Sequence, residues 1–304
     1  DAGPLMSDLP AQLLQWRQQG QFASVDGVEL FYRTAGTEHS GRPWLVCFHG
    51  FPTSSWDWHL LLPGLAKTHR VLVVDFPGYG LSEKSPSRDY SLKRQLDAAQ
   101  ALMARLVIQS FDLMAHDMGN SVGCELLRRR ELGDFPFQLR SLTLLNGGIY
   151  MDLHRPLLTQ RLLRTPVIGA ITGRLTSWRV FRLQYPRVYA NPEQFDEAHY
   201  QCQWALLLHN GGRNTLHRIA GYMKERTRMG EQWTGPLHRL DVPLRIIWGD
   251  QDPIAVYTIA EQLCRNNPRA ELVTLEGVGH YPQLEAPERV LESLSFSAPG
   301  NPEA

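Results

Sequence analysis

Four short, almost unbroken apolar runs constrain the fold more than anything else in the sequence: WLVCFHG (44–50), RVLVVDF (70–76), FDLMAHD (111–117) and SLTLLNG (141–147). A strand that is apolar on both faces must be covered on both, as parallel strands inside an α/β sheet are. Between the runs the apolar period changes to three and four, as in SLKRQLDAAQALMARLVI (91–108) and NSVGCELLRRRE (120–131). Strand and helix therefore alternate through the first 150 residues. The pattern returns in LRIIWGD (244–250), a helix near 254–265, AELVTLEG (270–277) and a last helix from about 287. This predicts an open, doubly wound, mostly parallel sheet of the α/β class. GVELFYRTAG (27–36) instead alternates apolar and polar residues, as an antiparallel edge strand does.

From about 148 to 237 the strand rhythm stops, and Leu, Arg, Trp and Tyr recur with helical spacing. The segment reads as a helical cap inserted at a strand end. That divides the chain into an N-terminal extension (1–26), a core (27–147 and 238–304) and the cap (148–237). The cap is basic, with 13 Arg plus Lys against 6 Asp plus Glu over 151–240. Over the whole chain the charges cancel, 31 against 31, which argues against nucleic acid or an anionic membrane as the main partner. A small molecule is the expected partner. No apolar run approaches the ~18 residues that span a bilayer, and no h-region follows a basic start. The expectation is a cytoplasmic monomer or homodimer. Cys47, Cys124, Cys202 and Cys264 lack the close spacing of a zinc site or a redox pair, so buried free thiols are expected and no metal or cofactor.

Four strand ends carry chemistry. HGFP (49–52) follows the first buried strand, DFPGYGLS (75–82) the second, AHDMG (115–119) the third, and GVGHYPQLEAPE (277–288) the last. Ligands in open α/β sheets bind outside the carboxyl ends of the strands, so these loops can converge. AHDMG has small residues two positions either side of Asp117, as the tight strand-to-helix turn that carries a nucleophile requires. Taken alone, Asp117 reads equally well as a helix cap.

The joint order of these motifs resembles the α/β-hydrolase family, over about 27–300. The resemblance makes Asp117 the nucleophile and His280 the base. For the orienting acid the residues leave two places open: Asp152, some way beyond Asn146 at the end of SLTLLNG, and Asp250 or Asp252 in WGDQDP. The family's usual aspartate before a Pro-bearing turn matches Asp252, with Asp250 shaping the turn. The backbone N–H groups of Phe51 and Met118 are the expected oxyanion donors, and the family pattern implies a cis bond between Phe51 and Pro52.

A carboxylate nucleophile displaces at saturated carbon and leaves an alkyl ester on the enzyme, which water then cleaves. The resemblance narrows to epoxide hydrolases, whose cap tyrosines protonate the leaving oxygen, because haloalkane dehalogenases commonly carry Trp where this chain has Met118. Tyr222, late in the cap in NTLHRIAGYMKER, is the expected acid. Tyr150, Tyr185, Tyr189, His49 and Pro52 are candidates for contact with an apolar epoxide. LLNGGIYMDLHRPLL (144–158) and GHYPQLEAPE (279–288) resemble the mesoderm-specific transcript branch of the same superfamily. A haloalkane or haloacid dehalogenase, and a silent ligand- or partner-binding member of the fold, stay open as other readings.

Overall fold

The computed structural model describes residues 9–295 apart from Arg164. Its strands are β1 (Gln21–Val25), β2 (Val28–Ala35), β3 (Trp44–Phe48), β4 (Arg70–Val74), β5 (Ser110–His116), β6 (Gln138–Leu145), β7 (Leu244–Gly249) and β8 (Glu271–Leu275). They form one sheet in the order β1-β2-β4-β3-β5-β6-β7-β8. The β1–β2 and β2–β4 pairs are antiparallel, and every later pair is parallel. The edge position expected for 27–36 belongs to β1, inside the stretch set apart as an extension. QFASV is five residues long with two of its first residues exposed, too short and polar a signal to read as a strand alone.

The apolar runs are explained by what covers them. Trp44, Val46 and Phe48 of β3 join one core cluster with Leu72, Val74, Leu113 and Ala115, while Leu45, Cys47, Val71, Val73 and Met114 join another. Alternate side chains of one strand thus enter opposite layers, each worth about 1.5–3 kcal/mol when fully buried. The first layer is completed by α3 (Leu92–Arg105) and α4 (Met118–Glu131), the second by α1 (Ala11–Gln18) and α2 (Leu62–Leu65). Three of the free cysteines are buried as expected, but Cys264 is only half-buried.

Seven helices lie between β6 and β7 among the described residues: α5 (Leu158–Leu163), α6 (Pro166–Leu175), α7 (Trp178–Gln184), α8 (Glu197–Leu208), α9 (Gly212–Ile219), α10 (Tyr222–Met229) and α11 (Glu231–His238). After β7 come α12 (Thr258–Asn266), α13 (Pro282–Glu285) and α14 (Pro287–Ser295). Polar bonds fix the inserted helices over the carboxyl edge of the sheet. The buried Lys84 ammonium donates to the carbonyls of Leu206 and His209 at 3.2 and 2.8 Å, and Gln203 donates to Asp57 at 3.1 Å. The Trp233 indole donates to Glu125 at 2.9 Å. No described helix is long and apolar enough to cross a membrane.

Candidate active site

Register brings the motif loops to one place. Phe48 lies opposite Ala115, Ala115 opposite Leu144, and Gly249 opposite Leu275, so the following loops leave the sheet along one edge. Asp117 stands at the turn from β5 into α4 with φ 48° and ψ −110°. That is a conformation a side-chain-bearing residue adopts only under constraint, at a cost on the order of 1–3 kcal/mol. The constraint is visible. The Asp117 amide donates to the Asn146 carbonyl at 2.9 Å, and the turn is crowded on both sides. A Cβ on Gly119 would stand 2.4 Å from the Phe48 carbonyl oxygen, and one on Gly147 2.8 Å from the Asp117 Cα. Gly119→Val should therefore cost more than about 3 kcal/mol, because the obstructing atom is backbone. Urea denaturation measures it, and an unshifted midpoint would show that the turn has room the distances deny.

The carboxylate is ordered by its neighbours. The Phe51 N–H donates to Asp117 Oδ2 at 2.9 Å, and the Phe51–Pro52 bond is cis. Met118 opens α4, so its N–H is among the first-turn donors with no partner inside the helix. The other oxygen, Oδ1, is 4.0 Å from Nε2 of His280. That is too long for a direct bond and short enough for one water to touch both. On the far side of the ring, Nδ1 lies 2.7 Å from Oδ2 of Asp252. Asp252 also accepts from Asn146 Nδ2 at 2.8 Å and from the amides of Ile254 and Ala255 at 2.7 and 3.0 Å. All three side chains are at most 4% exposed.

The electrostatics follow from this packing. Burial alone would lower the His280 ring, but the Asp252 charge and hydrogen bond, joined by Asp117, outweigh it and raise the ring to about 9. Burial alone would raise both carboxyls. The positive charge of His280 holds each below the usual range, with help from Arg226 at Asp117 and from amide donors at Asp252. At neutral pH the three groups form a carboxylate, an imidazolium and a second carboxylate.

Other residues singled out in the sequence have varied places. Tyr222 is 2% exposed, its ring centroid 5.5 Å from that of Phe51, and its hydroxyl lies beside the Arg226 guanidinium without a well-formed hydrogen bond. An apolar cavity of about 100 Å³ beneath the cap is lined by Phe51, Pro52, Tyr185, Val188, His280 and Tyr281, among others. Pro52 and Tyr185 thus face this cavity. Tyr189 is buried but gives its hydroxyl to His199 Nε2 at 2.8 Å. Tyr150 is not at the site, because its hydroxyl is held by His238 and Asn266, each at 2.8 Å. His49 does not face a substrate either. Its Nδ1 bonds the Gly50 carbonyl and its Nε2 accepts from the Phe76 amide, and burial pushes the ring to about 3, so it braces the loop as a neutral histidine. Asp250 accepts from the Gly277 amide at 2.7 Å, a turn-shaping contact.

Sequence reasoning missed several neighbours. Asn146 joins the Asp117 amide to Asp252 through its carbonyl and side chain. Glu285 accepts from the amides of Gly279 and Tyr281 at 2.9 and 3.1 Å and so shapes the His280 loop, and its spacing within GHYPQLE is a signal that could have been used. His116 must carry its proton on Nε2, which bonds the His280 carbonyl at 2.7 Å. Arg226 is 3% exposed. Its Nε donates to Ser121 at 2.7 Å, its guanidinium lies 4.9 Å from the Tyr222 ring centroid, and its two terminal nitrogens have no protein acceptor. A group of three or more metal-binding side chains is absent among the described residues.

A parallel sheet whose β5–α4 turn presents a strained acidic apex to a histidine, under helices inserted after β6, defines an α/β hydrolase. The chain belongs to that family: the model described as alpha/beta hydrolase fold matches residues 43–287. Within the family it stands with the mesoderm-specific transcript branch. It is 33% identical over 286 residues to the mesoderm-specific transcript protein of Mus musculus, covering 92% of this chain and 85% of that protein. It is also 33% identical over 279 residues to the hydrolase named LipZ of Mycobacterium tuberculosis, covering 92% and 95%. Among solved structures, the haloalkane dehalogenase DbeA from Bradyrhizobium elkani superposes with a TM-score of 0.78 at 22% identity, covering 90% and 95% of the two chains, a likeness of fold.

Proposed function

We propose that this hydrolase opens epoxides to vicinal diols through an ester on Asp117. One observation carries the reading. At the nucleophile position stands a carboxylate, with one oxygen bonded to the Phe51 amide and the other facing a histidine that is itself paired to Asp252. The free oxygen attacks an epoxide carbon, the C–O bond breaks, and the ring oxygen leaves as an alkoxide that takes a proton from Tyr222. Burial holds the Tyr222 hydroxyl well above its ordinary range, so it is present as the neutral acid, and the neighbouring Arg226 charge eases release of its proton. Alkylation removes the Asp117 charge that helped keep the His280 ring protonated, so the ring gives up its proton, which returns through solvent to the Tyr222 phenolate. The neutral ring then takes a proton from a water that attacks Cγ of Asp117. The oxygen held by Phe51 takes up the negative charge, joined by the Met118 amide. Collapse breaks the ester C–O bond at Cγ, the departing oxygen takes the proton of the hydroxyl added from water, and the diol leaves a free Asp117 carboxylate.

The choice of an epoxide over a halide rests on the donors near Asp117. Tyr222 can give a proton and Arg226 can hold the oxyanion, whereas Met118 offers no side-chain N–H for a halide. Tyr222→Phe is expected to lower turnover of styrene oxide about 10²-fold. The fold should stay intact, because the ring keeps its packing on Phe51 and the hydroxyl gives up no well-formed hydrogen bond. Unchanged diol formation in that variant would remove Tyr222 from the mechanism, and release of halide from a 1-haloalkane with no diol from any epoxide would sink the epoxide reading itself.

A further inference from the structure

The sequence between Asp152 and Glu193 holds seven arginines and no acidic residue. The zero charge of the whole chain averages this tract away. The same tract carries six of the ten exposed large apolar side chains among the described residues: Leu158, Ile168, Ile171, Leu175, Val180 and Leu183, between 46% and 73% exposed. The other four are scattered singly on distant elements, which needs no explanation.

Helix α6 shows why this surface is unusual. Gly169 and Gly173, one turn apart, meet the chain at Leu163, Arg213 and His217 so closely that they form its packed face. Ile168, Ile171 and Leu175 recur at three and four residues on the other side, making an apolar stripe turned away from the protein. In α7, Arg179, Val180 and Leu183 repeat the mixture on neighbouring positions. Arg155, Arg161, Arg174, Arg179 and Arg187 are exposed, and among the described residues none of these five has a carboxylate partner. Val180 is at once exposed and part of the lining of the apolar cavity, so this face holds the cavity's rim.

We propose that the α6–α7 face of the cap seats on an anionic phospholipid bilayer, with the cavity rim turned toward it. Aliphatic side chains enter the headgroup boundary while arginines pair with lipid phosphates and anionic headgroups, the composition of an interfacial amphipathic surface. A second copy of the chain fits less well, because a self-complementary pairing would oppose one arginine-rich face to another. Aromatic residues for base stacking are too sparse on the exposed positions for nucleic acid. Lipophilic substrates would then pass from the bilayer into the cavity without crossing water. The inference is independent of which bond the site cleaves.

Co-sedimentation of the purified chain with vesicles tests it. Vesicles of phosphatidylcholine carrying about one-third phosphatidylglycerol should retain the protein and pure phosphatidylcholine should not, with retention falling as salt is raised. Arg174→Gln with Arg179→Gln should weaken partitioning roughly 30-fold, at about fivefold per charge. Ile168→Ser, Ile171→Ser and Leu175→Ser together should abolish it. Both variants should melt at the wild-type temperature or above, since the changed side chains are exposed. Equal retention on both vesicle types, no retention on either, or retention unaffected by both variants would overturn the proposal. So would a concentration-dependent dimer in sedimentation velocity that the triple serine variant abolishes.

Discussion

A His280→Ala chain given a reactive epoxide is expected to gain one intact substrate mass and to hold it on the peptide carrying Asp117. The reason lies in the division of labour at the two carboxylate oxygens. The oxygen facing His280 makes the ester with no proton passing to the ring, and in the variant the Arg226 charge and the Phe51 amide still favour the ionised carboxylate, whereas cleavage needs a water whose proton the ring accepts. The charges also time the second step. The ring is held at about 9 by two carboxylates, and alkylation removes the charge of one of them, which lowers the ring toward the range where it acts as a base. Asp117→Ala should show neither adduct nor diol, a loss of at least about 10⁴-fold. A haloalkane substrate would add its mass less hydrogen halide, so intact mass spectrometry reads the electrophile directly. No adduct on the His280 variant, while the wild type turns the same epoxide over, would leave Asp117 as a general base or a helix cap.

Asp252→Asn should be nearly as damaging, with turnover falling about 10³- to 10⁴-fold while Asp117 still alkylates. One Asp252 oxygen accepts from the Ile254 and Ala255 amides, and the other from Asn146 and His280. An asparagine keeping its oxygen on the amides would aim its NH₂ at two donors, costing about 1–3 kcal/mol and driving the His280 proton to Nε2, where the base must be bare. The pH dependence of stability gives a second reading. Since His280 is raised from an ordinary 6.5 to about 9, its contribution is complete below the lower value and is lost as pH rises through the upper one. The wild-type melting temperature should therefore decline across that window, and the decline should flatten in Asp252→Asn, where burial dominates and the ring titrates lower. Histidine NMR follows the ring itself, and an unmoved titration would mean that Asp252 does not govern it.

The sheet was legible because double-sided burial leaves a continuous apolar run, which few other structures produce. The apolar stretches at 44–50 and 70–76 contain β3 and β4, while β5 and β6 overlap 111–117 and 141–147 but begin earlier, at Ser110 and Gln138. Strand β1 was not legible, since an edge strand of five residues buries too little to leave a pattern. Asp117, His280 and Asp252 were singled out by their loop positions, and the structure brings the three together because chain order at a sheet edge fixes which loops meet. What decides the fate of a cap side chain is packing at long sequence range. Tyr150 and Tyr222 look alike on paper, but one meets His238 and Asn266 and the other Phe51 and Arg226. Arg226 reads as one more charge on a solvated basic helix, and only the proximity of Ser121 and Gly148 shows that it is enclosed.

The turn that carries Asp117 is made entirely by backbone and glycine: the amide held by the Asn146 carbonyl, Gly119 against Phe48, and Gly147 against the Asp117 Cα. None of these contacts touches the carboxylate, so the scaffold is indifferent to the tool mounted at its apex. A single Asp117→Ser exchange would leave the mount, the oxyanion donors and the histidine pair in place and swap alkyl-ester chemistry for acyl transfer. On the proposed mechanism, moving between electrophiles from this turn demands one replacement at the tip and a reshaped cap above it, while the strained mount stays as it is.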